Sequence, residues 1–199
     1  MKTKNTRQNL LALVETAMLV ALAVGLELLS GMIPSPWGYG GSISLGAIPI
    51  FYLSYRRGPR WGIAAGFVYS CVQMLLGFYV PPANTLWALV LCVLLDYVLA
   101  FTALGLAGLF TVCFERMGKS SSRIAGYVVG AVGASALRFV CSFLSGVILW
   151  GSYAPEGMTV WIYSLTYNGS YMIINAILAS MILTWLCLAL DPKTLRPMK

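Results

Sequence analysis

Long apolar runs broken by short polar punctuation dominate the chain. They lie at about 9–30, 42–55, 61–79, 86–114, 123–150 and 158–190, bounded by clusters of Arg, Lys, Pro and Gly. A helix needs about 20 apolar residues to cross the hydrocarbon core of a bilayer. The pattern therefore predicts an all-α membrane protein: one integral domain over 1–199 with about six transmembrane helices. The second run is short, and the last three are long enough to tilt or project beyond the bilayer. The first follows a basic start, as a secretory signal would. It is nevertheless long enough to span and has no small-residue cleavage site before Pro34, so it reads as a retained helix. No internal repeat is evident.

Composition supports that class. Of 199 residues, 59% are hydrophobic and 10% charged, with a mean hydropathy of +0.82, whereas a soluble domain carries about 25% charged residues. The basic residues then set orientation. Lys2, Lys4 and Arg7, then Arg56, Arg57 and Arg60, then Arg116, Lys119 and Arg123, and last Lys193, Arg196 and Lys199 occupy alternate connections and the ends. The intervening connections (31–41, 80–85, 151–157) hold no Lys or Arg. The positive-inside rule puts both termini in the cytoplasm. The net charge of +7 is this topology signal and not a nucleic-acid footprint. Cys71, Cys92, Cys113, Cys141 and Cys187 all sit in apolar runs without CxxC spacing and read as buried small hydrophobes. Histidine is absent, which removes the commonest metal ligand and general base. No metal site or cofactor is implied.

The outer connections are chemically distinct. GMIPSPWGYGG combines Pro34 and Pro36, which stiffen the chain, with turn-permitting glycines and the aromatic faces of Trp37 and Tyr39. Trp87 and Trp185 read as an interfacial belt. Trp37 is equally compatible with such a belt and with closure over a ligand.

Charges at membrane depth carry the functional signal. Arg138 is the one basic residue far inside an apolar run, and Asp96 is the most deeply placed acid on the preceding long run. The helical rise places Asp96 roughly 15 Å, and Arg138 roughly 18 Å, below the outer surface. Intramembrane charges are costly and usually face a bundle interior or polar cavity. Asp96 is the natural partner of Arg138, directly or through a ligand, with a purely structural ion pair as the alternative. Tyr97 follows Asp96 on an adjacent wall. Ser142 and Ser145 share the Arg138 stripe and lead up to Trp150, while Trp161, Ser164, Asn168 and Asn175 form a second stripe, with Tyr163 and Tyr167 beside it. Ser145, Ser164 and Asn175 read as helix–helix bonds, and Asn168 as a candidate ligand contact. An acid, a base, amide and hydroxyl groups and stacking faces suit a small heteroaromatic cation.

On the first helix Ala17, Ala21 and Gly25 form a small-residue stripe. Such stripes let another helix approach closely, within the protein or from a partner. Glu15 and Glu27 lie near opposite ends of that helix, where snorkelling to headgroups is available.

Four segments in order, GGSISLGAIPIFYLSYRRGPRWGIAAG (40–66), LLDYVLAFTALGLAGLF (94–110), ALRFVCSFLSGVILW (136–150) and WIYSLTYN (161–168), carry a family likeness. The chain resembles the thiamine-specific S-components of energy-coupling factor (ECF) transporters over nearly its whole length. The resemblance implies the S-component fold, an outward-facing thiamine site formed by later helices and outer loops, and residence in a prokaryotic plasma membrane. It also implies docking onto a transmembrane coupling subunit and two ATP-binding subunits. The family's binding acid, commonly Glu followed by Tyr, maps to Asp96 and Tyr97. Its basic residue maps to Arg138, its stacking Trp to Trp150, its Tyr and Asn to Tyr163 and Asn168, and its lid aromatic to Trp37. The docking stripe maps to Ala17, Ala21 and Gly25. Two positions depart from the pattern. Ser142 stands where some members have His, and Asp96 is shorter than Glu.

Thiamine's permanent thiazolium cation suits a low-dielectric carboxylate. Riboflavin is neutral and has no need of Asp96, and biotin is anionic and favours a site dominated by Arg138; both remain alternative vitamins. An autonomous carrier is a further alternative, although no inverted repeat supports one. Enzyme classes fare worse. Lack of His excludes a Ser–His protease, a lone intramembrane Asp excludes an aspartyl protease, and no GxxxxGK[ST] motif is present for ATP use.

Overall fold

The computed structural model describes residues 2–32, 41–116 and 123–190, and these are built of helices. In order they are α1 (Lys2–Gly31), α2 (Ala47–Arg57), α3 (Pro59–Leu76), α4 (Leu86–Cys92), a π-helical segment (Val93–Leu99), α5 (Ala100–Leu104), α6 (Ala107–Arg116), α7 (Arg123–Leu149), a 3₁₀ turn (Gly151–Tyr153) and α8 (Val160–Ala189). Four stretches among the described residues are long and apolar enough to cross a membrane: Thr6–Gly31, Leu86–Leu104, Ile124–Leu149 and Val160–Ala189. α2 has 11 residues, about 17 Å of rise, and falls short of a full span.

α2 sits at the centre. Every residue from Ile48 to Tyr55 is buried, and the helix packs against α1, α3, α5, α6, α7 and α8. Around it the long helices turn one face inward and leave the other apolar and open. On α1 the inward face is Ala12, Thr16, Val20, Ala23 and Ser30, spaced as one helical stripe. Leu13, Met18, Leu22 and Leu29 are exposed on other faces. Exposed Ile173, Ile177, Met181 and Trp185 on α8 likewise give an apolar outer surface. In water such a surface would be a liability; in a bilayer it is the solvent-matched one.

The run at 86–114 is not one straight helix. It widens into the π-helical segment, continues as α5, and breaks at Gly105 and Leu106 before α6. The break has a physical cause. Ser54 on α2 donates to the Gly105 carbonyl at 2.6 Å and accepts from the Gly108 amide at 2.9 Å, taking groups that would otherwise join the helical ladder. Gly62 on α3 lies against the same backbone, where an added Cβ would meet the Gly105 oxygen at 2.5 Å. Glycine at both positions lets the two helices touch main chain to main chain. The α2–α3 turn is made by Gly58 at φ +89°, followed by Pro59 in the first turn of α3.

Both glutamates of α1 have partners inside the protein instead of reaching headgroups. Glu15 accepts from Arg56 Nε and Nη2 at 2.9 and 3.0 Å, and from Arg57 Nε and Nη2 at 2.7 Å each. Two guanidinium forks on one carboxylate fasten α1 to the end of α2. Glu27 accepts from Ser44 Oγ and from Tyr69 Oη, the latter at 3.0 Å. Glu15→Gln should lower stability by about 1–2 kcal/mol, because these charge-assisted bonds are only partly screened by solvent. The expected readout is a fall of a few degrees in the Tm of the detergent-solubilised protein, with ligand affinity retained.

Candidate substrate site between the π-helical segment, α7 and α8

Asp96 lies on the π-helical segment, a distortion frequently found at functional positions. All of its hydrogen bonds fall on one oxygen. Oδ2 accepts from Ser145 Oγ at 2.6 Å and from Trp150 Nε1 at 3.1 Å, and Cys92 Sγ stands 3.5 Å away. Oδ1 has no hydrogen-bond partner among the described residues and is not enclosed. Tyr97, the next residue, ties the segment to the chain at the end of α3. Its hydroxyl donates to the Gly77 carbonyl and accepts from the Tyr79 amide, both at 3.0 Å, and its ring packs on Phe78 at 5.4 Å. Tyr97 is buried, and its hydroxyl fastens the end of α3.

Arg138 and Asp96 form no ion pair. Among the described residues the ion pairs are those of Glu15 with Arg56 and Arg57. The Arg138 guanidinium lies over the Phe101 ring, 4.6 Å from its centroid, a cation–π placement. Phe101 in turn meets Tyr69 edge-on at 5.2 Å, and Tyr69 bonds Glu27. Similar depth on two helices left their relative rotation undetermined, and rotation aims Arg138 at α5 instead. A small cavity of about 20 Å³ beside it is lined by Arg138, Ser44, Ser135, Asn175 and apolar neighbours.

Trp150 brings its indole N–H to Asp96, and its ring faces Tyr153 at 6.1 Å. Tyr163 is partly buried and packs on Tyr167 at 5.6 Å. Ser142 and Asn168 are buried between α7 and α8. Asn168 Nδ2 donates to the Ser142 carbonyl at 3.3 Å and the Ser164 carbonyl at 3.1 Å, and Asn168 Oδ1 accepts from Tyr171 at 3.3 Å. Its amide is thus spent on helix packing. Ser164 bonds the Phe143 carbonyl at 2.8 Å. Asn175 reaches the segment before α2, accepting from Ser44 N at 2.9 Å and donating to Ser42 O at 3.3 Å. Trp37 lies outside the described residues. A wider groove of about 500 Å³, lined by Phe139, Leu165, Thr166, Gly169, Ser170 and Ile173, opens on the outer face of α7 and α8. It holds no charge and is not part of the Asp96 cluster.

Several polar pairings were not legible in the sequence pattern. Cys92 reads as a small hydrophobe, yet its i, i+4 spacing to Asp96 was a usable signal. Ser145 does bond a neighbouring element, and it does so through Asp96. Glu27, Tyr69, Gln73 and Ser44 form a second polar chain, with Gln73 Nε2 donating to Tyr69 Oη at 2.8 Å, that no local motif announces. The cysteines also divide: Cys92 and Cys187 are buried, whereas Cys113 is exposed.

Comparison with known proteins then decides the family. Residues 13–195 match the family described as Thiamine transporter protein (Thia_YuaJ). The chain belongs to the thiamine transporter family. It is 38% identical over 184 residues to the thiamine transporter ThiT of Bacillus subtilis, covering 90% of this chain and 91% of that one. To the thiamine transporter ThiT of Lacticaseibacillus paracasei it is 31% identical over 180 residues, covering 86% and 84%. A solved structure of ThiT from Listeria monocytogenes superposes with a TM-score of 0.71 at 24% identity, over 90% of this chain and 94% of that chain. That likeness speaks for the fold. The thiamine transporter family is one of membrane transporters, not enzymes, and the chain is a multi-pass protein of the prokaryotic cell membrane.

Proposed function

We propose that the chain is the substrate-capturing subunit of an ECF transporter, taking thiamine from outside the cell for ATP-driven uptake. The observation that carries this reading is the Asp96 carboxylate. One oxygen is held by the Ser145 hydroxyl and the Trp150 indole N–H, and the other has no hydrogen-bond partner among the described residues. That arrangement suits a flat cation better than riboflavin or biotin. In this reading the thiazolium faces Asp96 Oδ1 and stacks on Trp150. Tyr163 flanks the aminopyrimidine, and Arg138 serves the hydroxyethyl end. Tyr97, Ser142 and Asn168 hold the walls from behind. The cavity of about 20 Å³ beside Arg138 is far below the roughly 300 Å³ a small-ligand site occupies, so it is not by itself the thiamine pocket.

The fuller architecture belongs to the same proposal: one integral domain, six membrane-crossing segments and both termini cytoplasmic. The partners are a transmembrane coupling subunit and two ATP-binding subunits, met through Ala17, Ala21 and Gly25. Mass spectrometry of ligand retained through purification tests the substrate. Thiamine is expected, and a flavin or biotin would overturn the reading. Trp37 is assigned the lid. Trp37→Ala should speed release more than it slows entry, since a lid contact forms only after capture. Stopped-flow fluorescence with unchanged rates in both directions would remove Trp37 from that role.

A further inference from the structure

Ser145 lies fully buried near the C-terminal end of α7. A serine there ordinarily turns its hydroxyl back to the carbonyl one turn earlier, as Ser180 and Ser30 do on their own helices at 2.7 Å each. Ser145 instead crosses to the π-helical segment and donates to Asp96 Oδ2 at 2.6 Å, the shortest of the three contacts on that oxygen. The other two are poorer anchors. Cys92 is a weak donor and stands equally close, at 3.5 Å, to the Tyr79 carbonyl. The Trp150 indole divides its hydrogen between Asp96 at 3.1 Å and Ser145 Oγ at 3.3 Å. The final torsion of an aspartate is broad and twofold, so an unanchored carboxylate presents either oxygen, in a range of directions, to whatever enters.

Resting on the reading of Asp96 as the acid that faces the ligand's cation, we infer that Ser145 is the positioning residue that gives this site its preference for a cationic ring. Its hydroxyl locks Oδ2 and thereby turns Oδ1 toward the ligand. The same hydroxyl accepts only the longer share of the Trp150 hydrogen, so the ring keeps its 3.1 Å bond to Asp96 without it.

The test uses purified full-length protein and two probes: thiamine, and an isostere with an uncharged aromatic ring in place of the thiazolium. Ser145→Ala should raise the Kd for thiamine about tenfold, the scale for losing a hydrogen bond to a charged group, and leave the neutral isostere nearly unaffected. Ser145→Thr keeps the donor and should keep the preference, whereas Ser145→Cys should lose it. This pair decides the matter if the alanine variant does not fold. In an Asp96→Asn background, Ser145→Ala should cause no further loss. Equal weakening of both probes, or additive loss in the double variant, would make Ser145 structural and overturn the inference. Unchanged thiamine affinity in Ser145→Ala, with Asp96→Asn weakened, would overturn it while sparing the reading of Asp96. Unchanged affinity in Asp96→Asn alone would sink both.

Discussion

Asp96→Asn is expected to weaken thiamine binding about a hundredfold while the protein still folds. Two effects add. The first is loss of the charge opposite the thiazolium. A carboxylate about 4 Å from a cation in a partly buried site contributes on the order of 4 kcal/mol before desolvation is subtracted. The second follows from where the hydrogen bonds fall. Oδ2 accepts from Ser145 and Trp150, so the amide oxygen of an asparagine takes that place and its NH₂ is turned toward the ligand. A donor then faces a cation where an acceptor stood. The two acids of α1 are engaged elsewhere. Glu15 is held by Arg56 and Arg57, and Glu27 is engaged by Ser44 and Tyr69. Titration by intrinsic Trp quenching measures the effect. An unchanged Kd with an intact Tm would remove Asp96 from the site.

What could be read from the chain divides along a physical line. Long apolar runs and the placement of Arg and Lys announced a helical membrane protein, because hydrocarbon thickness acts on each run separately. The family likeness rested on four segments in order and pointed to the thiamine transporter family. Rotation about a helix axis was not legible. Depth put Asp96 and Arg138 on a similar level, but the π-helical segment changes the turn on which Asp96 stands, and Arg138 faces Phe101. Distant pairings were also hidden. Ser54 breaks the fourth apolar run from α2, some 51 residues away in sequence, by bonding Gly105, and Glu27 depends on Tyr69, 42 residues away. The polar stripe on α8 was visible, yet only packing showed that Asn168 spends its amide on α7.

Binding and uptake are expected to separate at α1. Ala17 and Ala21 are exposed, and an added Cβ at Gly25 would meet nothing within 4 Å. The helix buries the neighbouring stripe of Ala12, Thr16, Val20 and Ala23 instead. Internal packing therefore does not account for the small residues at Ala17 and Ala21. Their smoothness matches a surface that another helix approaches closely. α1 packs on α2 and α3, whereas Asp96 is held by α7, so bulk added to its outer face does not reach the proposed site. Ala17→Trp and Ala21→Trp should keep near-parental thiamine affinity in the isolated protein. In the assembled transporter each should reduce ATP-driven uptake severely, about tenfold or more if close backbone packing worth roughly 1–2 kcal/mol is lost. Uptake of labelled thiamine into proteoliposomes, measured beside equilibrium binding to the same variants, separates the outcomes. Loss of binding together with uptake would show that the stripe supports the fold. Full uptake with Trp at both positions would move the docking surface to another helix.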